Sequence, residues 1–484
     1  MVLYKVRCCF LLKNNLLRCK TLCEVIVLFR KKLFRNYKTV RNPEPTRYLV
    51  FGFLGIIFLG AILLSLPISS NEGTYTPFLN SLFTSTSATC VTGLVVYDTY
   101  THWNIFGRTV IICLIQIGGL GFMTFAGLLS LVVRKGAGLK SRMLMAQSLN
   151  LFDMNDVLKM IKTVVVGTFT FEGAAALVLS VRFIPEYGFW GGIGRGVFIS
   201  ISAFCNAGFD LMGNTAPFSS LTDYSGDIVV NLTVMALIFI GGLGFFVWSD
   251  IYDAKSFKKL SVFSKLILIV SFGLLFFGAV CFFVFEYNNP ETMADLSFRD
   301  KILASFFQSV TARTAGFNTV NLGGMTDISV VIMCMLMFVG GSSGSTAGGV
   351  KVGTVTVAAF AVISAVKGES NVNVMKRRFS RDIVMQSFAL VSVSFAVIIV
   401  GTLAVSAFDG IPFLASLFEV TSAFCTVGVS VGITPTLSPI SLCLLMILMF
   451  LGRVGLMTAT YAIFLKRTKV SNKIQYPEVK MIIG

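Results

Sequence analysis

The sequence predicts an all-α polytopic membrane protein: eight transmembrane helices and four re-entrant half-helices, arranged as span–pore-helix–span repeats around a pseudo-fourfold pore. Three observations carry that prediction. Of the 484 residues, 55% are hydrophobic and only 13% are charged, a composition that water does not solvate. Eight apolar runs are long enough for a hydrocarbon core, which needs about 20 residues of helix. Four further apolar segments are only half that length, and each runs into a glycine-containing turn of one pattern.

The first 47 residues hold twelve Lys and Arg against Glu24 and Glu44. Their apolar stretch 21–29 is too short to span and lacks a small-residue cleavage site, which argues against a signal peptide. A basic interfacial helix and an unstructured tail both fit it. The long runs lie at 48–66, 104–133, 157–183, 228–250, 262–285, 328–366, 383–408 and 437–465. Lys and Arg concentrate in the connections 134–162, 253–265, 367–381 and 466–480, while the alternate connections carry acids such as Asp98, Asp210 and Asp409. By the positive-inside rule both termini are cytoplasmic, as an even number of spans requires. The net charge of +17 therefore reads as topology in a plasma membrane, with lipid and not nucleic acid as the surrounding partner. The 11 cysteines form no C-x-x-C pair and read as free buried thiols.

The half-length segments lie at 78–88, 194–204, 302–312 and 413–424. Eleven helical residues cover about 16 Å, roughly half a hydrocarbon core, so these enter the membrane and turn back. Their C-terminal ends and the turns after them stack: SATCVTGL (87–94), SAFCNAGF (202–209), VTARTAGF (310–317) and SAFCTVGV (422–429). A second marker recurs in the next long run: QIGGLGFM (116–123), FIGGLGFF (239–246), FVGGSSGS (338–345) and FLGRVGLM (450–457). Two markers recurring four times in the same order define an internal repeat. The chain then divides into a basic tail 1–47, pore repeats 48–135, 136–253, 254–366 and 367–466, and a C-terminal tail 467–484.

Irregular backbone at membrane depth is tolerated where protein buries it or water reaches it. Four converging turns provide such a place, and their carbonyls can replace an ion's hydration shell. The candidate filter backbone is Val91, Thr92 and Gly93, Asn206, Ala207 and Gly208, Thr314, Ala315 and Gly316, and Thr426, Val427 and Gly428. No carboxylate stands in these triplets, which favours K⁺ over divalent cations that seek carboxylates. Close helix packing through small residues is the structural alternative for the glycines.

This repeat, with Thr426-Val427-Gly428 at its fourth turn and TARTAGFNTVNL (311–322) at its third, resembles the Trk/Ktr/HKT superfamily of potassium transporters, and the Ktr-type membrane subunit in particular. The resemblance spans about 45–484. It implies K⁺ as the transported ion, since all four filter glycines are present, with Na⁺ coupling or Na⁺ permeation open. It also implies a homodimer with one pore per subunit and a cytoplasmic nucleotide-binding ring subunit that opens the gate.

The run 328–366 is twice the length a span needs, and its middle, GGSSGSTAGGVK (340–351), weakens a helix. A break is expected there. The resemblance makes it an intramembrane gating loop of Gly340, Gly341, Ser342, Ser343, Gly344, Ser345, Thr346, Ala347, Gly348, Gly349 and Lys351; a simple kink is the alternative. A phosphate-binding loop is excluded because Val352 follows Lys351. Arg453 replaces Gly119, Gly242 and Gly341 of the other repeats. An intramembrane arginine costs about 2.5–3.5 kcal/mol and should face the pore or bond to backbone carbonyls; the unpaired carbonyls of 340–351 make it a candidate tether of the closed loop. Arg313 stands where the other turns have Cys90, Cys205 and Cys425, and is expected to brace the filter from behind, with Glu419 or Glu172 as partner. No clustered His, carboxylates or metal ligands suggest an enzyme, so no catalytic residues, covalent cofactor or metal beyond the transported ion are expected. A metabolite transporter would need a polar-lined cavity that the spans do not supply.

Overall fold

The computed structural model describes residues 45–121 and 157–456. The tail 1–44, the connection 122–156 and the C-terminal 457–484 lie outside the described residues. The chain divides into Met1–Tyr48 and Leu49–Gly484; of the first unit only the opening turn of helix α1 (Pro45–Ser65) is described. Among the described residues everything else is helix, turn and one short hairpin.

Four units succeed one another in chain order. The first holds α1, the half-helix α2 (Phe78–Cys90), a single turn α3 (Thr99–His102) and the inner helix α4 (Ile105–Leu120). The second holds α5 (Val157–Cys205), the inner helix α6 (Ile228–Leu243) and α7 (Phe245–Ala254). The third holds α8 (Val262–Glu286), the half-helix α9 (Phe298–Thr311), the inner helix α10 (Asp327–Phe338) and α11 (Val352–Val366). The fourth holds α12 (Arg381–Asp409), the half-helix α13 (Phe413–Phe424) and the inner helix α14 (Pro439–Val454). A hairpin of β1 (Asn373–Val374) and β2 (Arg377–Arg378) carries the basic segment before α12.

Local signals set these boundaries. Each inner helix begins at a side-chain cap that satisfies an orphan N–H: Asn104 accepts from Gly107, Asp227 from Val230, Thr326 from Ser329 and Ser438 from Ser441. Pro77 and Pro412 immediately precede α2 and α13, where the missing N–H costs nothing. The second half-helix is fused to its span: α5 runs on through Gly188, whose φ of 72° and ψ of 171° mark a kink that only glycine takes easily. Serines of three half-helices then pin them to the outer helix of their own unit, with Ser85 donating to Ile57 O (2.7 Å), Ser200 to Glu172 O (2.7 Å) and Ser309 to Leu275 O (2.6 Å).

The inner helices differ from the sequence expectation. Hydropathy reads 104–133, 228–250 and 437–465 as continuous spans, with a break expected only in the third repeat. Instead α4, α6 and α14 all stop at the last glycine of the second marker, in nearly one conformation: Gly121 (φ 81°, ψ 137°), Gly244 (φ 89°, ψ 144°) and Gly455 (φ 90°, ψ 130°). A side chain is strained there, so the glycine itself writes the break. Beyond Gly244 the chain leaves α6 at 94°. The continuations after Gly121 and Leu456 fall outside the described residues. By length and apolarity, three described helices can cross a membrane, Lys162–Cys205, Val262–Glu286 and Arg381–Asp409, and the α6–α7 pair makes a fourth if the bend is one span.

The units close into a ring. Half-helix α2 packs between α4 of its own unit and α14 of the fourth. Half-helix α13 packs between α14 and α10, α5 packs beside α6 and α4, and α9 packs on α8 and α6. The core is therefore built around the four half-helix ends.

Candidate functional site: a ring of four turns above an intramembrane loop

Each half-helix ends in a buried turn with one backbone signature. The first triplet residue is left-handed although it is not glycine: Val91 (φ 57°), Asn206 (φ 60°), Thr314 (φ 69°) and Thr426 (φ 50°). Two residues later the glycine is also at positive φ: Gly93 (104°), Gly208 (70°), Gly316 (86°) and Gly428 (91°). A non-glycine residue in this region costs about 1–3 kcal/mol, so the surroundings must impose it. They do so through the N–H groups. Thr92, Ala207 and Val427 donate to the carbonyls of Ser87, Ser202 and Ser422 at 2.8 Å each, and Ala315 donates to Thr311 O at 3.0 Å. Gly93 and Gly428 donate to the hydroxyls of Ser87 and Ser422 at 3.0 Å. With these donors turned back into the half-helices, the carbonyls are left for the opposite side.

The four turns meet one another in cyclic order. A Cβ on Gly93 would sit 2.5 Å from Ala207 O, one on Gly208 2.8 Å from Ala315 O, one on Gly316 2.9 Å from Val427 O, and one on Gly428 would overlap Thr92 O. Every glycine thus abuts the carbonyl before the next glycine, and the fourth returns to the first. All eight non-glycine triplet residues are buried. Above the ring opens a vestibule of about 270 Å³, lined by the four glycines together with Asp98, Asp210, Ser430 and Thr434. Asp98 is a structural acid: its carboxylate accepts from Tyr100, Thr101 and Phe218 N–H. Burial pushes the Asp210 carboxyl up to about 6, and the nearby Asp98 charge adds to that.

The two sequence markers touch. A Cβ on Gly118, Gly241 or Gly452 would overlap Thr89 O, Phe204 O or Phe424 O at the end of the half-helix in the same unit. These glycines let the inner helices pass directly beneath the turns. In the third unit α10 and α11 are separate helices, and the chain between them lies under the ring. Gly340 and Val350 pair there, with Gly340 N donating to Val350 O at 2.9 Å. The segment is held to the second and fourth units: Ser342 N to Gly242 O (2.9 Å), Thr346 N to Gly241 O (3.3 Å), Phe245 N to Gly344 O (2.9 Å) and Gly349 N to Gly452 O (3.3 Å). Ser345 donates to Ser342 O at 2.7 Å, and Lys351 Nζ to Ala347 O at 2.7 Å. The Thr346 hydroxyl lies 3.3 Å from Asn206 Oδ1, and Gly348 fits against the Thr426 side chain. Loop and turns are therefore in direct contact.

Arg453 donates to Thr346 O in this loop, to Gly118 O and, at 3.3 Å, to Gly119 O. Its guanidinium ties the loop to the end of α4: one acceptor is a loop carbonyl, and the other two, on Gly118 and Gly119, lie outside the loop. Arg313 lies behind the third turn, also as expected, but its partners are different. It donates to Ser271 O (3.0 Å) and Ser271 Oγ (3.2 Å) and lies 3.5 Å from Gly340 O. The two glutamates are elsewhere: Glu172 accepts from Gln116 Nε2 at 3.2 Å, and Glu419 accepts from the Thr434 hydroxyl. Ser271 gave no signal in the sequence because a lone serine in an apolar span carries no charge or spacing that points to an arginine 42 residues on.

An apolar helical assembly whose half-helices converge on a closed ring of backbone carbonyls is the architecture of a membrane cation transporter. Comparison with known proteins agrees. The family profile described as Cation transport protein (TrkH) matches residues 38–473. The chain is 39% identical over 440 residues to Ktr system potassium uptake protein B of Bacillus subtilis, covering 91% of this chain and 97% of that one. It is 36% identical over 452 residues to the potassium/sodium uptake protein NtpJ of Enterococcus hirae, covering 92% and 99%. Its fold is similar to the crystal structure of the potassium transporter TrkH from Vibrio parahaemolyticus, with a TM-score of 0.68, 16% identity, and coverage of 88% and 86%. The chain belongs to the TrkH/Ktr family: it is an integral membrane cation transporter and not an enzyme.

Proposed function

We propose that this chain is the ion-translocating subunit of a bacterial potassium uptake system. K⁺ passes through the ring formed by Val91–Gly93, Asn206–Gly208, Thr314–Gly316 and Thr426–Gly428, then past the loop 340–351 held by Arg453. The observation that carries this reading is the cyclic contact of the four glycines with the neighbouring carbonyls. Neutral dipoles that replace a hydration shell suit a weakly hydrated monovalent ion. The relatives' names, potassium uptake in one and potassium/sodium uptake in another, support the same class and keep a Na⁺-coupled or Na⁺-permeable variant as the second reading. Flow down the electrical gradient supplies about 2.3 kcal/mol per 100 mV for each charge.

A homodimer with both termini cytoplasmic, and a cytoplasmic nucleotide-binding ring that releases the loop, complete the proposal. The exposed basic hairpin 373–378 offers that ring a cationic surface. The test is growth of a K⁺-uptake-deficient bacterium at low K⁺, with this chain expressed alone and with a compatible ring subunit. Rescue with K⁺ accumulation is expected. Absence of rescue in both arms, with the protein present in the membrane, contradicts the assignment.

A further inference from the structure

Glu419 lies nine residues before Gly428 on half-helix α13 and is fully buried. The corresponding residues of the other units, Thr84, Ile199 and Phe307, are equally buried and uncharged. Packing at this position therefore needs no carboxylate, and one unit in four has one. One oxygen accepts from the Thr434 hydroxyl, and the other, Oε2, has no hydrogen-bond partner among the described residues. No described Lys or Arg pairs with it, since the three described ion pairs are Arg182 with Glu186 and Asp227, and Arg299 with Asp300. Burying a carboxylate without a counter-charge is costly.

The ion entrance lies next to Glu419. Thr434 stands 3.1 Å from Ser430, and both line the vestibule directly above the glycine ring. Ser430 also accepts the Gly432 N–H at 2.9 Å. The carboxylate thus sits behind the vestibule wall, one hydroxyl away from its surface. A cation in the vestibule would stand on the far side of that wall.

We propose that Glu419 is an affinity-determining residue: its carboxylate is the counter-charge, acting through Thr434 and the wall at Ser430–Gly432, for a monovalent cation bound at the outer end of the glycine ring. The inference rests on the proposed cation path. It adds that the ring's attraction for the ion is asymmetric and comes largely from the fourth unit. Carbonyl dipoles select the ion, and the buried charge behind the wall lowers the external ion needed to half-fill the site. Glu419 needs no contact with the ion for this, because a charge in a low-dielectric interior acts at a distance.

The test compares Glu419→Gln, which keeps an oxygen for the Thr434 hydroxyl and removes the charge, with Glu419→Asp, which keeps the charge. The full chain is expressed in the K⁺-uptake-deficient strain, and initial K⁺ uptake is measured against external K⁺. Wild-type uptake tests the transport reading separately. For Glu419→Gln the half-saturating K⁺ is expected to rise about tenfold with the maximal rate within twofold, while Glu419→Asp stays close to wild type. In purified protein, protection from thermal unfolding by K⁺ should require about tenfold more K⁺ in Glu419→Gln, which also reports whether the variant is folded. An unchanged half-saturating K⁺ in Glu419→Gln, or equal shifts in both variants, overturns the proposal and leaves Glu419 a packing residue.

Discussion

Replacing Arg453 by alanine tests the proposed gate most sharply. The arginine holds the loop through one charge-assisted bond, to Thr346 O, and is itself anchored on Gly118 O and Gly119 O. A hydrogen bond to a charged group contributes about 1.5–3 kcal/mol. At 1.4 kcal/mol per factor of ten, losing it shifts the loop equilibrium roughly 10- to 100-fold toward the displaced position. The rise in flux tracks that shift until the loop is fully displaced, and removal of a positive charge from below the ring adds to it. Arg453→Lys keeps the charge but loses the planar fork that reaches both carbonyl groups, so it should fall between alanine and wild type. The assay is initial Rb⁺ or K⁺ uptake at saturating external ion, normalised to protein in the membrane. Unchanged flux in Arg453→Ala, together with unchanged regulation, would refute the tether.

Three further outcomes rest on the same geometry. Gly428→Ser forces a Cβ into Thr92 O and 2.8 Å from Gly93 Cα, at a φ of 91°; K⁺ over Na⁺ selectivity should fall at least several-fold in competition uptake, and full retention would contradict the ring. The Asp210 carboxyl, raised to about 6, is charged at external pH 7 and mostly neutral at pH 5. Vestibule attraction for cations should therefore weaken as pH falls, and Asp210→Asn should flatten that part of the dependence of half-saturating K⁺ on external pH. Glu286 is buried and accepts from Asn289 Nδ2 (2.7 Å), the Thr292 hydroxyl (2.7 Å), and Thr326 N–H (3.0 Å) and hydroxyl (2.8 Å). Glu286→Ala removes the acceptor of the Thr292 hydroxyl and the Thr326 N–H, while Asn289 keeps Gly324 O and the Thr326 hydroxyl keeps Ser329; it should cost about 2–4 kcal/mol, read as a lower melting temperature of the purified protein.

The parts of the site that were legible in sequence are those where backbone geometry forces residue type. Gly93, Gly208, Gly316 and Gly428 stack because no Cβ fits between neighbouring turns. Gly118, Gly241 and Gly452 stack because each passes under a half-helix end. Arg453 was legible as a charge in an apolar run that demands partners; the Gly/Ser run supplies Thr346 O, while Gly118 O and Gly119 O at the end of α4 carried no sequence signal. The left-handed Val91, Thr314 and Thr426 left no mark, since β-branched residues do not announce positive φ. The breaks at Gly121, Gly244 and Gly455 were hidden inside uninterrupted hydropathy, which records side-chain polarity and not φ. The fusion of span and half-helix in α5 was hidden for the same reason, because Gly188 supplies a kink without a polar loop. Partners of buried charges were the least legible, as Arg313 choosing Ser271 shows.

The central claim is that a cation is held by the carbonyls of four turns. The most direct measurement is the anomalous scattering of Rb⁺ or Tl⁺ in crystals of this protein grown with those ions. The account predicts density on the axis enclosed by Gly93, Gly208, Gly316 and Gly428 and their preceding carbonyls, lost when K⁺ is added in excess. Density that instead lies among side chains away from these four turns, with the ring empty at saturating ion, would contradict it.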